Sequence, residues 1–410
     1  MGYHFVSNLS QSTYQMFAIK HPLYNIYQST QWAMIKKEWN HCFVGVYDDD
    51  VLVLASLVLY RSLPFGYSLF YLPKGPLADF EDIELLNYFF KELKEFAKSK
   101  KAISIKLTPN VLLSSVLFKD IDQHQPVRDS IVIDNLELVG FKHHGFNQDM
   151  YETAQPRFCA AFYYRDGWLE NYNTKAAKTI TKALKKGVEI ERIDISRLDL
   201  FAKIMSYTEK RKNISLRNQE YYQRIVDVFG DDAFMVVSKV DLQKQLEVDQ
   251  EHKSQLIDQI ENKMVSERKI KPLRQQLESL QKEIEFKENA IQEDGQIVYM
   301  SCLLAVKVKD TAELLYAGMN EKYRKYYGSY VTYMEGIKWG YQEGCIRCDF
   351  GGIQGSLDDG LTEFKGYFEP NIEEYIGEFD MLINKPVDYF FNRALAFYKV
   401  IRRLLRGVRR

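Results

Sequence analysis

Apolar and polar positions along this chain switch repeatedly between a two-residue and a 3.6-residue period. Residues 40–60 hold two apolar, β-branched runs on either side of Asp48-Asp49-Asp50, which predicts a hairpin. Residues 80–100 place Leu85, Phe89, Leu93 and Phe96 on one helical face. Between them, residues 65–73 read as a strand entering the rigid turn Lys74-Gly75-Pro76, and residues 103–107 as a further strand, stopped by Pro109. The rhythm returns with a strand at 158–164, a helix at 168–186 closed by Gly187, and a strand at 188–193. Helices from 198 and over 221–229 follow, then a strand at 234–240. Strand and helix alternate in both stretches, so the fold class is mixed α/β.

Residues 241–294 break this rhythm. Glycine vanishes, and Leu273, Leu277, Leu280, Ile284 and Ile291 fall at heptad spacing, with Leu242, Leu246, Leu256 and Ile260 as a leakier seam before Pro272. Proline suits a first helical turn, so two helices meeting near 266–271 form an antiparallel coiled hairpin, each arm about 40 Å long at about 1.5 Å per residue. Strand patterns resume at 297–308 and 313–316, then a helix at 328–343, so the arm interrupts a domain and does not link two. The expected organisation is a first domain over 1–151 and a second over 152–386, interrupted by the arm at 241–294. A basic amphipathic helix over 387–410 is expected to pack back near the first domain, its basic face suited to anionic lipid or RNA phosphate.

With 410 residues, 46% of them hydrophobic, the chain has material for two or three domains. A formal net charge of −1 means that any nucleic-acid contact must be a local patch. The five cysteines are odd in number and scattered, as in a reducing compartment. Cys345 and Cys348 form a single Cys-X-X-Cys without a second pair or spaced histidines, so buried thiols are the favoured reading over a metal or redox site. Residues 1–5 carry no signal-peptide pattern, and no run of about eighteen uncharged apolar residues occurs, so the expected location is cytoplasmic.

Candidate chemistry concentrates at 349–368, where five glycines surround an isolated Lys365 between aromatics. Such density predicts a shaped loop. No dinucleotide fingerprint, phosphate loop or Gly-X-Ser-X-Gly is present, and no histidine partners a cysteine; His143 and His144 read as surface or turn residues. Neither metal nor cofactor is expected. Isolated Lys, Arg and Tyr residues beside shaped loops suit anionic substrates and oxyanion stabilisation in acyl transfer without a covalent enzyme intermediate.

Ser29-Thr30-Gln31-Trp32-Ala33-Met34-Ile35-Lys36, Tyr71-Leu72-Pro73-Lys74-Gly75-Pro76, Thr208-Glu209-Lys210-Arg211, the helical arm, and Asp349-Phe350-Gly351-Gly352-Ile353 with Phe364-Lys365-Gly366-Tyr367 together resemble the Fem family of peptidoglycan branching enzymes. The likeness covers essentially the whole chain and is strongest to streptococcal members. It implies two GNAT-like domains and transfer of an amino acid, alanine being expected, from aminoacyl-tRNA to the lysine branch of a lipid-linked precursor. It also implies peripheral contact with an anionic membrane. Matched by position, Lys36, Arg211 and Tyr316 would hold the lipid-linked diphosphate, and Lys365 would steady the tetrahedral intermediate. Thr108 stands before Pro109 where relatives often carry an acid, which puts a base at that position in doubt. The arm holds nine Lys/Arg against thirteen Asp/Glu, yet its tip gathers Lys263, Arg268, Lys269, Lys271 and Arg274, the expected tRNA contact. A charged hairpin for protein contacts is the alternative there. For the whole chain the alternatives are a membrane-associated scaffold and an acyltransferase with another donor, though the acyl-CoA pyrophosphate loop is missing.

Overall fold

The turn at residues 48–50 closes as its sequence predicts: strand Asn40–Asp48 pairs antiparallel with Val51–Ser62, and Asp49 takes a φ of 50°, which a short polar side chain tolerates. These elements come from a computed structural model of the chain, which describes residues 2–123, 125, 127–168, 174–212, 216–261, 267–391 and 393. Two compact units emerge, one of Met1–Tyr163, Val308–Glu313 and Asp349–Arg410, the other of Tyr164–Lys307 and Leu314–Cys348. Residues 349–386 thus fall with the N-terminal unit, whereas the sequence pattern kept them with the second domain.

A seven-stranded sheet lies in the first unit, in the order Tyr3–Val6, Asn40–Asp48, Val51–Ser62, Ser68–Pro73, Ala102–Thr108, Phe379–Leu382, Lys142–His143. Only Ser68–Pro73 and Ala102–Thr108 pair parallel, and helix Ile83–Ser99 connects them. That helix buries Leu85, Leu86, Phe89, Phe90, Leu93 and Ala97 against Val44, Phe70, Leu72, Ile105, Leu107 and Phe379. Its crossover leaves the C-terminal ends of both strands side by side, with Pro73 opposite Thr108. The first part of the expected 65–73 strand is instead a tight turn, Pro64–Gly66, in which Phe65 takes a φ of 63° and stands in solvent. Leu112–Leu117, Asn371–Tyr375 and Phe158–Tyr163 form an antiparallel trio in the same unit.

In the second unit Val188–Ile193, Ala233–Asp241 and Ile297–Val308 pair antiparallel. Helix Lys175–Lys185 begins later than the 168–186 span expected, residues 169–173 lying outside the described chain, and Gly187 beyond its end has a φ of 76°. The helical pair leaves and re-enters this sheet at neighbouring positions: Asp241 faces Ile297, and the Leu242 N–H donates to the Gln296 carbonyl at 2.8 Å. Its helices run Leu242–Glu261 and Glu267–Asp294 and bury a seam of Leu246, Leu256, Leu280 and Ile284. Pro272 is not in a first turn. It sits inside the second helix, whose start at Glu267 precedes it, and so removes one N–H from the helical ladder. The mixed α/β class with an inserted helical pair is as the sequence implies. Residues 385–391 are helical, and residues 394–410, which carry most of the basic amphipathic end, lie outside the described residues. Among described residues no helix is long and apolar enough to cross a membrane.

Candidate active site

The glycine-dense stretch is not one loop. It is a strand, Arg347–Ile353, followed by a short helix, Gly360–Gly366, because Asp359 caps that helix by accepting from the Leu361 N–H at 2.7 Å. Gly351 has a φ of 78°, a conformation other residues rarely adopt, and at Gly352 a Cβ would stand 2.3 Å from Pro156 Cγ. The bend lets two carbonyls face the helix. Lys365 Nζ donates to the carbonyl oxygens of Gly351 at 3.1 Å and Gly352 at 2.8 Å, and the residue is only 3% exposed. Two of the three ammonium hydrogens are thereby directed.

Around this lysine the first unit gathers charges far apart in sequence. Burial, helped by Asp349 and Glu373 and opposed by Lys74 and Lys365, pushes the Cys159 thiol up to about 12. That thiol stays protonated near neutrality and is a poor nucleophile. Lys74, 5% exposed, stands 3.0 Å from the Tyr375 ring centroid. The Tyr375 hydroxyl donates to Glu373 Oε2 at 2.9 Å, and the Tyr163 hydroxyl donates to Glu373 Oε1. Sequence reasoning passed over Lys74 and Glu373 as site residues. Lys74 was legible only as part of a turn, although its place after a strand that proves parallel is where open sheets hold ligands.

Thr108 has a structural duty. Its Oγ1 accepts the Lys74 N–H at 3.2 Å and lies 3.1 Å from the Tyr71 hydroxyl, tying together the ends of the two parallel strands. Carboxylates reach this region from other elements. Tyr27, half-buried, has its phenol pushed well above the ordinary value by loss of hydration, then by Glu313 and Asp349. Trp32 meets Tyr27 edge-on at 4.8 Å, and Lys36 Nζ lies 4.3 Å from the Trp32 ring. Lys36, at the end of helix Thr30–Ile35, is therefore two rings removed from the electrostatic environment of Asp349.

Within the second unit, Tyr316 packs edge-on against Tyr222 at 5.1 Å and Tyr221 at 6.2 Å. Burial raises its phenol, and hydrogen bonds to Tyr221 and Arg217 work against that. Tyr222 beside it is buried, and its hydroxyl has no hydrogen-bond partner among the described residues. Arg211 is exposed and pairs with exposed Glu321 at 3.3 Å, a surface contact of little energetic weight. At the arm's tip Lys271 and Arg274 are exposed, one turn apart, while Lys263 and the side chains of Arg268 and Lys269 lie outside the described residues. Cys345 and Cys348 are buried thiols, and the Tyr164 phenol, raised by burial, feels both.

The FemAB family model matches residues 9–396. The chain belongs to the FemAB family. It is accordingly an aminoacyltransferase, a peptide-bond-forming enzyme. A Staphylococcus haemolyticus protein named lipid II:glycine glycyltransferase is 26% identical over 404 residues, covering 93% of each chain. A Staphylococcus epidermidis protein of the same name is 25% identical over 410 residues, covering 94% of this chain and 95% of its own. The crystal structure of FemX superposes with a TM-score of 0.71 at 25% identity, over 95% of this chain and 99% of that one. Among the site residues, Lys36, Lys74 and Lys365 fall inside the FemAB match, as do Arg211 and Tyr316.

Proposed function

We propose that this FemAB protein moves a small amino acid from aminoacyl-tRNA to the lysine branch of a lipid-linked peptidoglycan precursor, lengthening the interpeptide bridge. The relatives' names supply the acceptor, a lipid II species, and name glycine as the amino acid; the sequence resemblance points to alanine. The observation that carries the reading is the buried Lys365 ammonium on its two carbonyls, with Lys74, Asp349 and Glu373 close by.

The chemistry follows from these groups. An aminoacyl ester is already activated, so the enzyme must align it with a neutral amine and neutralise the oxyanion that forms; alignment alone is worth about 7 to 11 kcal/mol. The amine nitrogen bonds to the ester carbon, the oxyanion settles on Lys365, and the ester C–O bond breaks. The amine's proton leaves to a carboxylate, Asp349 or Glu313, and returns to the departing ribose oxygen. The resemblance alone assigns Lys36, Arg211 and Tyr316 to binding of the precursor. Lys263, Arg268, Lys269, Lys271 and Arg274 meet the tRNA, and the lipid-linked acceptor keeps the protein against an anionic membrane.

The test offers glycyl-, alanyl- and seryl-tRNA to lipid-linked precursors with a bare or already substituted lysine, and sequences the products by mass spectrometry. Transfer to the lysine branch from one of these donors is the expected result. No transfer from any of them, with intact precursor, would overturn the reading in favour of a scaffold.

A further inference from the structure

Away from Lys365 the first unit carries a cavity of about 710 Å³ whose walls are unusually basic. Lys94 and Lys98 from helix Ile83–Ser99, Lys101 from the turn after it, and Lys385 line it, together with Tyr67 and Pro386. Among described residues one carboxylate, Glu95, forms an ion pair with any of the four lysines, meeting Lys98 at 2.7 Å on the exposed helix surface. Glu95 also feels Lys94 and Lys91, so one acid faces several ammonium groups. A cavity lined this way attracts an anion with more than one negative oxygen.

Exposed aromatics stand close in sequence to its lining residues. Phe65, 94% exposed, sits two residues before the lining Tyr67, in a turn closed by the Leu63 N–H to Tyr67 carbonyl bond at 2.7 Å. Tyr389 and Phe390, both exposed, follow three and four residues after the lining Pro386, and Arg393 lies over the Tyr389 ring. Phe65 takes a left-handed backbone conformation with a bulky side chain and no burial to offset it. An aromatic held out beside a lysine-lined cavity matches a surface that is phosphate at one depth and hydrocarbon just below it. Duplex RNA would use the lysines but leave a solvent-projecting Phe unused, and unpaired bases that could stack on it are separated from lipid by the tRNA arm of the test.

We propose that this cavity takes the phosphate headgroup of an anionic membrane lipid, with Phe65, Tyr389 and Phe390 entering the interface around it. The proposal deepens the membrane contact of the function above and rests on that part of it. It gives that contact a site other than the basic C-terminal end. Tyr and Phe gain at such an interface because their rings find apolar surroundings beside wet headgroups.

The test is co-sedimentation of the full chain with phosphatidylcholine vesicles, with and without about 30 mol% phosphatidylglycerol. Preference for the anionic vesicles is expected. Lys94→Glu with Lys101→Glu should lower that partitioning about 25-fold or more, from about fivefold per lysine withdrawn. Phe65→Ser should weaken binding severalfold while leaving its salt dependence as in the wild type. Unchanged melting temperature and unchanged transfer to a soluble, lipid-free acceptor serve as folding controls. Vesicle binding equal to wild type in the lysine variant overturns the proposal. So does tRNA affinity falling in that variant while vesicle binding holds, which would assign the lysines to RNA. Because sedimentation needs no turnover, failure of the transfer reading leaves this result standing, and the converse also holds.

Discussion

An ammonium taken out of water loses hydration that only a fixed set of acceptors replaces, and at Lys365 the carbonyls of Gly351 and Gly352 belong to that set. The same fixing would serve the proposed role, since a charge already oriented costs little reorganisation when an oxyanion appears. Lys365→Met keeps the length of the side chain and removes the charge. It should lower kcat about 100- to 1,000-fold, with KM for the lipid-linked acceptor little changed. A kcat within error of wild type in a defined aminoacyl-tRNA assay rules the role out. A second residue-scale effect concerns His144, whose Nε2 lies 2.7 Å from Asp380 Oδ2. That bond raises the imidazole above its usual 6.5. Burial alone would raise Asp380, but the His144 bond and Lys106 hold it below its usual value. A raised histidine stabilises the fold fully below its unfolded value and loses that contribution as pH climbs through its folded one. Melting temperatures of wild type and His144→Gln should therefore differ most near about pH 5.5 and converge by about pH 8.5. A gap that widens with pH refutes the pairing. Lys365 and Lys36 stood out in the sequence because they sit in short, unusual strings. Lys74 lay in such a string too but read as a turn residue, and Glu373 lay in none; strand register and a crossover helix bring both to Cys159 from opposite parts of the chain.

Elements were legible where period and punctuation agreed. The heptad leucines of 241–294 announced a helical pair, since that spacing serves neither a strand nor a loop, and Gly187 marked a helix end by its left-handed conformation. The 349–368 stretch misled because glycine density signals backbone freedom without saying whether a strand or a turn uses it. Pro272 misled for a related reason: a proline fits a first turn best, but a long helix with a packed seam accommodates one in its interior. The seam is where the pair's stability lies. Leu280→Ala should destabilise it by about 2 to 3 kcal/mol, the lower part of the range for a buried leucine, because the site borders solvent. Urea unfolding followed by far-ultraviolet circular dichroism measures this. An unchanged midpoint would show that the two helices do not rely on that seam.

At the scale of the whole chain, 55 basic and 56 acidic residues leave no long-range field to draw in a polyanion. Under the proposed function, recognition of tRNA would then be local and short in reach, since about 8 Å of physiological electrolyte screens an exposed charge. The helical pair is acidic in total, so its basic tip is set against repulsion from the rest of the arm. The described part of that tip presents Lys271 and Arg274 in solvent, one helical turn apart. If these two meet phosphates, each contributes counterion release, and log affinity against log salt steepens by a little under one unit per contact. Lys271→Glu combined with Arg274→Glu should flatten the tRNA-binding slope by about one to two units and weaken binding most at low salt. Binding of the lipid-linked precursor should be untouched. The measurement is tRNA affinity by filter binding over a salt series, for wild type and the double variant. Parallel slopes would mean that phosphates are held elsewhere and would leave the arm to protein contacts; a flattened slope with unaltered precursor binding would place donor and acceptor recognition on separate elements.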